Sequence, residues 1–310
     1  MKRYKSDTSE SMMRHAYAKI NLGLDVIRKR EDGYHEVKMI MQTVSLCDKV
    51  TITMNDSGII TMDTNLSFLP SNENNLAYQA VALLKEACQI EKGIHIHLEK
   101  HIPVAAGMAG GSTDCATAML IMNQLFHLGL SKKELMDYGV KLGADVPYCI
   151  MGGTALSEGI GEKLTPLPPA PKCKILIVKP DIHVSTRFVY ENLHANTLTH
   201  HPDIDGMVDA IRANDLSGVT SRMENVLETV TETNYPVITE IKKTLISYGA
   251  INSLMSGSGP TVFGIFQDGE TAKKAYTLCR QKYPHFKVFT ADLIRAEERR
   301  RNGRTKRNNG

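Results

Sequence analysis

The stretch Pro103-Val-Ala-Ala-Gly-Met-Ala-Gly-Gly-Ser-Thr-Asp114 constrains this chain more than any other. It follows a strand pattern in which Ile94, Ile96 and Leu98 alternate with His95, His97 and Glu99, and it runs into an Ala/Met/Leu-rich helical stretch at 115–128. Glycines allow positive φ and close approach of the backbone to a ligand. A loop that opens a helix also aims unpaired N–H groups and the positive end of the helix dipole at whatever lies there, which suits phosphate. The loop is not a Walker A motif, since no Gly-Lys-Ser/Thr follows, and no H-R-D or D-F-G element is present. Taken alone, the same residues would also make a tight strand-to-helix connection.

Other segments supply candidate chemistry. Residues 16–26 alternate apolar and other residues, the pattern of a strand with one buried face, and this puts Lys19 and Asn21 together on the open face. A lysine there is normally solvated, but beside Tyr17, Asn21 and Gly23 it can line a cleft. Glu31-Asp-Gly-Tyr34 reads as a turn, with His35 after it, and 37–46 and 50–54 read as further strands. A helix is expected over 76–88. Ser131 and Glu134 fit a capping box. Gly143-Ala-Asp145-Val-Pro147 follows a helix, so Asp145 is either a turn residue or a cleft carboxylate. Ser256-Gly-Ser-Gly-Pro-Thr261, ahead of an apolar strand, reads as a hairpin-like turn or a second anion nest.

Residues 165–172 carry four prolines and mark a linker. Strands are expected at 174–179, 261–266 and 288–293, with a helix at 270–282. A length of 310 residues suits about two domains, and mixed strands and helices in both halves indicate α+β.

The net charge is +3, but residues 294–310 hold seven Lys/Arg against two Glu, so the body is slightly acidic. That argues against a nucleic-acid-binding body and leaves RNA contact only to the tail. The six cysteines show no C-x-x-C or zinc spacing and read as reduced. No apolar run approaches a membrane span, and no apolar core follows the basic start at 1–13, so a cytoplasmic location is expected.

The order of the motifs resembles that of the GHMP kinases, which phosphorylate small molecules. Lys19-Ile-Asn21-Leu, the loop 103–114 and Ser256-Gly-Ser-Gly-Pro260 occur in family order. Asp32-Gly-Tyr-His35, Gly143-Ala-Asp-Val-Pro147 and Val184-Ser-Thr186 with Tyr190 resemble the branch that acts on a cytidine diphosphate-linked sugar alcohol.

The resemblance implies two α+β domains around a deep cleft, at 14–165 and 166–294. The first would be like ribosomal protein S5 domain 2 and the second ferredoxin-like, flanked by a polar extension at 1–13 and a basic tail at 295–310. It implies ATP with Mg²⁺, with no metal ligand fixed. Lys19 and Asp145 match the catalytic pair. Pro103, Val104, Ala105, Ala106, Gly107, Met108, Ala109, Gly110, Gly111, Ser112 and Thr113 match the ATP loop, with Asn75, Leu76 and Lys100 near the nucleotide. Asn21, Tyr34, His35, Thr186 and Tyr190 match positions around the cytidine substrate. Ala109 stands where this group usually has glycine, which narrows the loop's backbone freedom. The alternatives are a family kinase for homoserine or mevalonate, and a sensor that binds ATP or a metabolite without catalysis. Monomer and homodimer both remain open.

Overall fold

The computed structural model describes residues 10–301. The first sheet contains β1 (Ser11–Lys29), β2 (His35–Asn55), β3 (Ile60–Thr64), β4 (Gly93–Glu99), β5 (Thr154–Gly159) and β6 (Lys163–Pro166). β2 is a single strand of 21 residues, where the sequence suggests two. Residues 45–49 include no Gly or Pro, and β1 pairs on both sides of an irregularity at 44–46 (Tyr17↔Cys47, then Lys19↔Thr43), so the strand runs on. The opposite edge of β2 is shared, with residues 37–42 pairing with β5 and residues 49–55 with β4. Gly33, at φ +86°, closes the expected turn between β1 and β2.

Helices α1 (Leu76–Ala87), α2 (Gly110–Leu125), α3 (Lys132–Gly139) and α4 (Val146–Met151) complete this lobe. α1 and α2 bury Ala80, Val81, Leu84, Ala118 and Met119 in one core with Ile52, Ile94 and Ile96 of the sheet. The Ser131–Glu134 capping box is present at the start of α3. α2 begins at Gly110, five residues before the expected start at 115. Glycine lowers helix propensity, but at a helix's first turn that cost is small and the short side chains leave the end accessible.

The second lobe runs β7 (Lys174–Lys179), α5 (Thr186–Asn192), α6 (Ile204–Arg212), α7 (Leu216–Thr220), α8 (Glu228–Asn234), α9 (Val237–Ser247), β8 (Asn252–Met255), β9 (Val262–Phe266), α10 (Gly269–Lys282) and β10 (Lys287–Asp292). Its antiparallel order is β10-β7-β9-β8. With helices after the first and third strands, this is the ferredoxin-like arrangement. α11 (Ala296–Arg301) follows. Residues 167–173 join the lobes, and the first two residues of the proline-rich stretch close β6. Residues 1–9 and 302–310, with the end of the basic tail, lie outside the described residues.

The expected open face of β1 is not open, because residues 16–26 are all buried. The second lobe covers it. Ile20, Leu22 and Ile40 share a core with Ile175, Ile177, Phe263 and Ile265 of the other sheet, and with Ile204 and Met207 of α6. Each such side chain contributes roughly 1.5–3 kcal/mol by leaving water. Backbone bonds stitch the junction: Leu24 N–H to Glu224 O (2.9 Å), Val226 N–H to Leu24 O (3.0 Å) and Ile294 N–H to Thr43 O (2.9 Å). Register shifts at Tyr17/Lys19 and Asn21/Gly23 break the strict alternation of β1. Asn21 lies beside the turn between β8 and β9, its Oδ1 3.7 Å from where a Cβ on Gly257 would stand.

Candidate active site

Lys19 lies on β1 with only 6% of its side chain exposed. Its Nζ donates to Asn21 Oδ1 at 2.8 Å, and Asn21 Nδ2 rests 3.2 Å from Met39 Sδ. Asp145, just ahead of α4, brings Oδ2 to 3.8 Å from Lys19 Nζ and keeps about a third of its side chain exposed (32%). A cation buried against one amide and one partly open carboxylate is preorganised for negative charge arriving from the cleft. The Lys19 backbone N–H donates to Met108 O at 3.2 Å, which ties this pair to the glycine loop.

Within the loop, Pro103, Ala106, Met108 and Thr113 are buried, so these side chains anchor it. Val104, Ala105 and Gly111 are exposed, while Gly107, Ala109, Gly110 and Ser112 are half-buried. Ala105 (φ +51°), Gly107 (φ +70°) and Ala109 (φ +56°) take left-handed conformations. Two of these are alanines, which adopt that conformation at a cost that glycine avoids. The first helical bond of α2 runs from Thr113 N–H to Ala109 O at 2.8 Å, so the amides of 110–112 precede it and stay available to a ligand. A groove of about 160 Å³ beside the loop is lined by Asn75, Leu76, Lys100, Val104, Gly110 and Gly111. The expected nucleotide residues thus meet in one place.

Lys100 lines this groove as expected, with its ammonium group turned to Asp48 and Asp114 (2.6 Å) beneath the loop. A larger cavity of about 400 Å³, beside Lys172 and Arg295, contains none of the candidate residues.

The Ser256–Pro260 segment is the turn between β8 and β9, and it braces the loop. Ser256 Oγ donates to Gly107 O at 3.0 Å. A Cβ on Gly107 would lie 2.2 Å from Ser256 O, so only glycine permits this approach. Asn225 supports the turn from below, its Nδ2 donating to Met255 O and Gly257 O, each at 2.8 Å. Nothing in the sequence around Asn225 signals this contact.

On the other side of Asp145 stand residues of α5 and of the β1–β2 turn. The His35 and Tyr190 rings meet at 5.1 Å with a 43° tilt. Burial and then the Lys29 charge hold the His35 imidazole below its ordinary range, so it is neutral at pH 7. His35 Nε2 is buried and has no hydrogen-bond partner among the described residues. Burial, and behind it the Asp145 charge, push the Tyr190 phenol well up, so it keeps its proton and can donate. Thr186 Oγ1 lies 2.8 Å from Ser258 Oγ, which joins α5 to the β8–β9 turn. Tyr34 stands apart at 59% exposed. The structure therefore gathers Lys19, Asn21, Asp145, His35 and Tyr190, while Tyr34 remains at the rim. His200 and His201, away from this site, are engaged by Glu224 (2.7 Å) and Asp25 (2.9 Å).

Family comparisons agree with this architecture. The GHMP kinases N terminal domain matches residues 75–153 and the GHMP kinases C terminal matches 200–285. The chain belongs to the GHMP kinase family and is a small-molecule kinase. Its relatives narrow the likeness. The 4-diphosphocytidyl-2-C-methyl-D-erythritol kinase of Lachnoclostridium phytofermentans is 59% identical, over 84% of this chain and 90% of that protein. The protein of the same name from Lachnospira eligens is 55% identical, over 92% and 99%. A crystal structure of 4-(cytidine 5'-diphospho)-2C-methyl-D-erythritol kinase superposes with TM-score 0.79 at 31% identity, covering 91% of this chain and 99% of that one. A homoserine kinase structure from Cytophaga hutchinsonii reaches TM-score 0.75 over 96% of this chain and 98% of that one, at 19% identity, and shares the fold.

Proposed function

We propose that this chain transfers the γ-phosphoryl group of Mg·ATP to the 2-hydroxyl of 4-diphosphocytidyl-2-C-methyl-D-erythritol. This would be a cytoplasmic step in non-mevalonate isoprenoid precursor synthesis. The carrying observation is the Lys19–Asp145 pair, 3.8 Å apart, with the glycine loop tied to one side and the His35–Tyr190 rings on the other.

In this reading the loop and the first-turn amides of α2 hold the ATP phosphates. Asn75 and Leu76 border the base end, and Mg²⁺ arrives with ATP as part of the substrate. The acceptor hydroxyl approaches Asp145, which orients it and takes its proton. Where the transition state is loose the proton leaves late, so orienting the hydroxyl is the larger part of the role of Asp145. Lys19 spreads the charge of the transferring phosphoryl group, and Asn21 fixes the lysine's direction. Tyr190 and His35 form a platform and an edge contact for cytosine, Tyr34 closes over it from the rim, and Thr186 faces the same pocket.

Asp145→Asn should lower kcat by roughly 10²–10⁴, the range for a positioned acid–base group, with KM for ATP little changed. Lys19→Met should fall in the same range. A kcat within a few-fold of wild type for either variant would remove that residue from the mechanism.

A further inference from the structure

Beneath the nucleotide loop lie two carboxylates that share one lysine. Asp48 is on β2, Lys100 follows β4, and Asp114 is in the second turn of α2. The side chains of all three are at most 4% exposed. Asp48 Oδ1 also accepts the backbone N–H groups of His101 and Ile102 (2.8 Å to the latter). Asp114 has Lys100 on Oδ2, while its Oδ1 has no hydrogen-bond partner among the described residues. The apolar residues Ala77, Ala80 and Val81 of α1 and Val146 and Ile150 of α4 belong to the same core, with Tyr148 and Cys149 as α4's buried titratable groups. Lys100 and Asp48 are therefore the charges that act on Asp114.

With both carboxylates ionised the trio would carry net −1 directly under a loop built for phosphate. Burial pushes the Asp114 carboxyl well above the usual carboxylate range, against the pull of Lys100. One proton on the pair makes the trio neutral. A Cβ placed on Gly110, the first residue of α2, would lie 3.3 Å from Lys100 Nζ, so the lysine supports the helix start from inside.

We propose that Asp48, Lys100 and Asp114 form a buried positioning set whose charge balance sets the loop's affinity for ATP, with Lys100 acting through its carboxylates and not by touching the nucleotide. The inference rests on the reading of residues 103–113 as the ATP phosphate loop. Removing the lysine leaves an uncompensated negative charge under the phosphates. One unit charge about 8 Å away at an effective dielectric near 20 corresponds to at least a ten-fold change in affinity.

The test compares Lys100→Met with the double variant Asp48→Asn/Lys100→Met, reading KM for ATP, KM for the acceptor, and Tm. Asparagine keeps the Oδ1 acceptor that His101 and Ile102 need. Lys100→Met should raise KM for ATP about ten-fold while KM for the acceptor moves about two-fold or less. The double variant, neutral again, should recover most of that loss. A double variant as poor as Lys100→Met, with equal Tm, would overturn the proposal and return Lys100 to direct nucleotide contact. Equal rises in both KM values would reduce the trio to a purely structural role. Gly111→Asp separates the two readings. If it binds ATP like wild type, the phosphate-loop reading itself fails. If it loses ATP binding while the double variant is not rescued, only the charge-balance proposal fails.

Discussion

The two halves of the cleft are built differently. The nucleotide half is a continuous segment, residues 103–113, presenting backbone, with Ala106 and Met108 sunk into the lobe junction and a second glycine turn packed against it. The acceptor half is assembled from side chains of separate segments: His35 and Tyr34 beside the β1–β2 turn, and Thr186 and Tyr190 on α5. Backbone recognition suits a ligand part that every kinase of this family shares, the phosphates. Side chains on replaceable segments suit the part that differs, the alcohol. The Lys19–Asp145 pair stands where the halves meet.

That contrast predicts different responses to substitution. The largest effect is expected in the nucleotide half, from Gly107→Ala. Its Cβ would press on Ser256 O and Gly259 O while φ stays positive. Backbone strain alone is worth about 1–3 kcal/mol, so Tm should fall and KM for ATP should rise by roughly 10–100-fold. An unchanged KM for ATP would show that the two glycine turns do not need to touch.

In the acceptor half, Tyr190→Ala should raise KM for the cytidine substrate by the roughly 1–3 kcal/mol of a lost base–aromatic stack and leave KM for ATP nearly unchanged. Equal rises for both substrates would erase the distinction between the halves. Tyr34→Ala should act in the same direction by less, because that ring is more than half solvated. A Tyr34 effect exceeding that of Tyr190 would mean that the rim closes fully over the base.

The smallest change is expected at Ala109. Replacement by Gly relieves a left-handed alanine at about 1–2 kcal/mol but gives back about 0.4–1 kcal/mol of unfolded-chain entropy. A net gain of order 1 kcal/mol in unfolding free energy, with KM for ATP shifted by no more than about three-fold, would fit a loop held by its surroundings. A large shift in KM would show that this single departure from the family pattern tunes the grip on ATP.

How far the sequence revealed these features depended on how local their causes are. The helix at Leu76, the Ser131–Glu134 cap, β7 and the turn at Gly33 follow from short-range spacing, and the structure has them there. The glycine loop and the Ser256–Pro260 turn are legible as motifs, although their mutual contact through Gly107 is not. Features set by the second lobe could not be read. The alternation of 16–26 suggests an open face for Lys19 and Asn21, but the other sheet and α6 cover one face and leave those residues in the cleft. β2 runs through Asp48, where the polar interruption suggests a break, because pairing with β1 resumes on both sides of the irregularity at 44–46 and outweighs local preference. Asp48 is 52 residues from Lys100 and 66 from Asp114, so no spacing rule connects the trio. Asn225 carries no local signal because its role is to hold another segment's carbonyls.

The most direct measurement is Mg·ATP-dependent turnover by the purified protein on 4-diphosphocytidyl-2-C-methyl-D-erythritol, with homoserine and mevalonate measured alongside. The site predicts phosphorylation of the cytidine compound, with kcat/KM for the other alcohols lower by at least about 10²-fold, as expected where a site's hydrogen bonds and stacking are left unfilled. Comparable or faster turnover of homoserine or mevalonate would contradict the account. The nucleotide half would stand, but His35 and Tyr190 would no longer be a cytosine site.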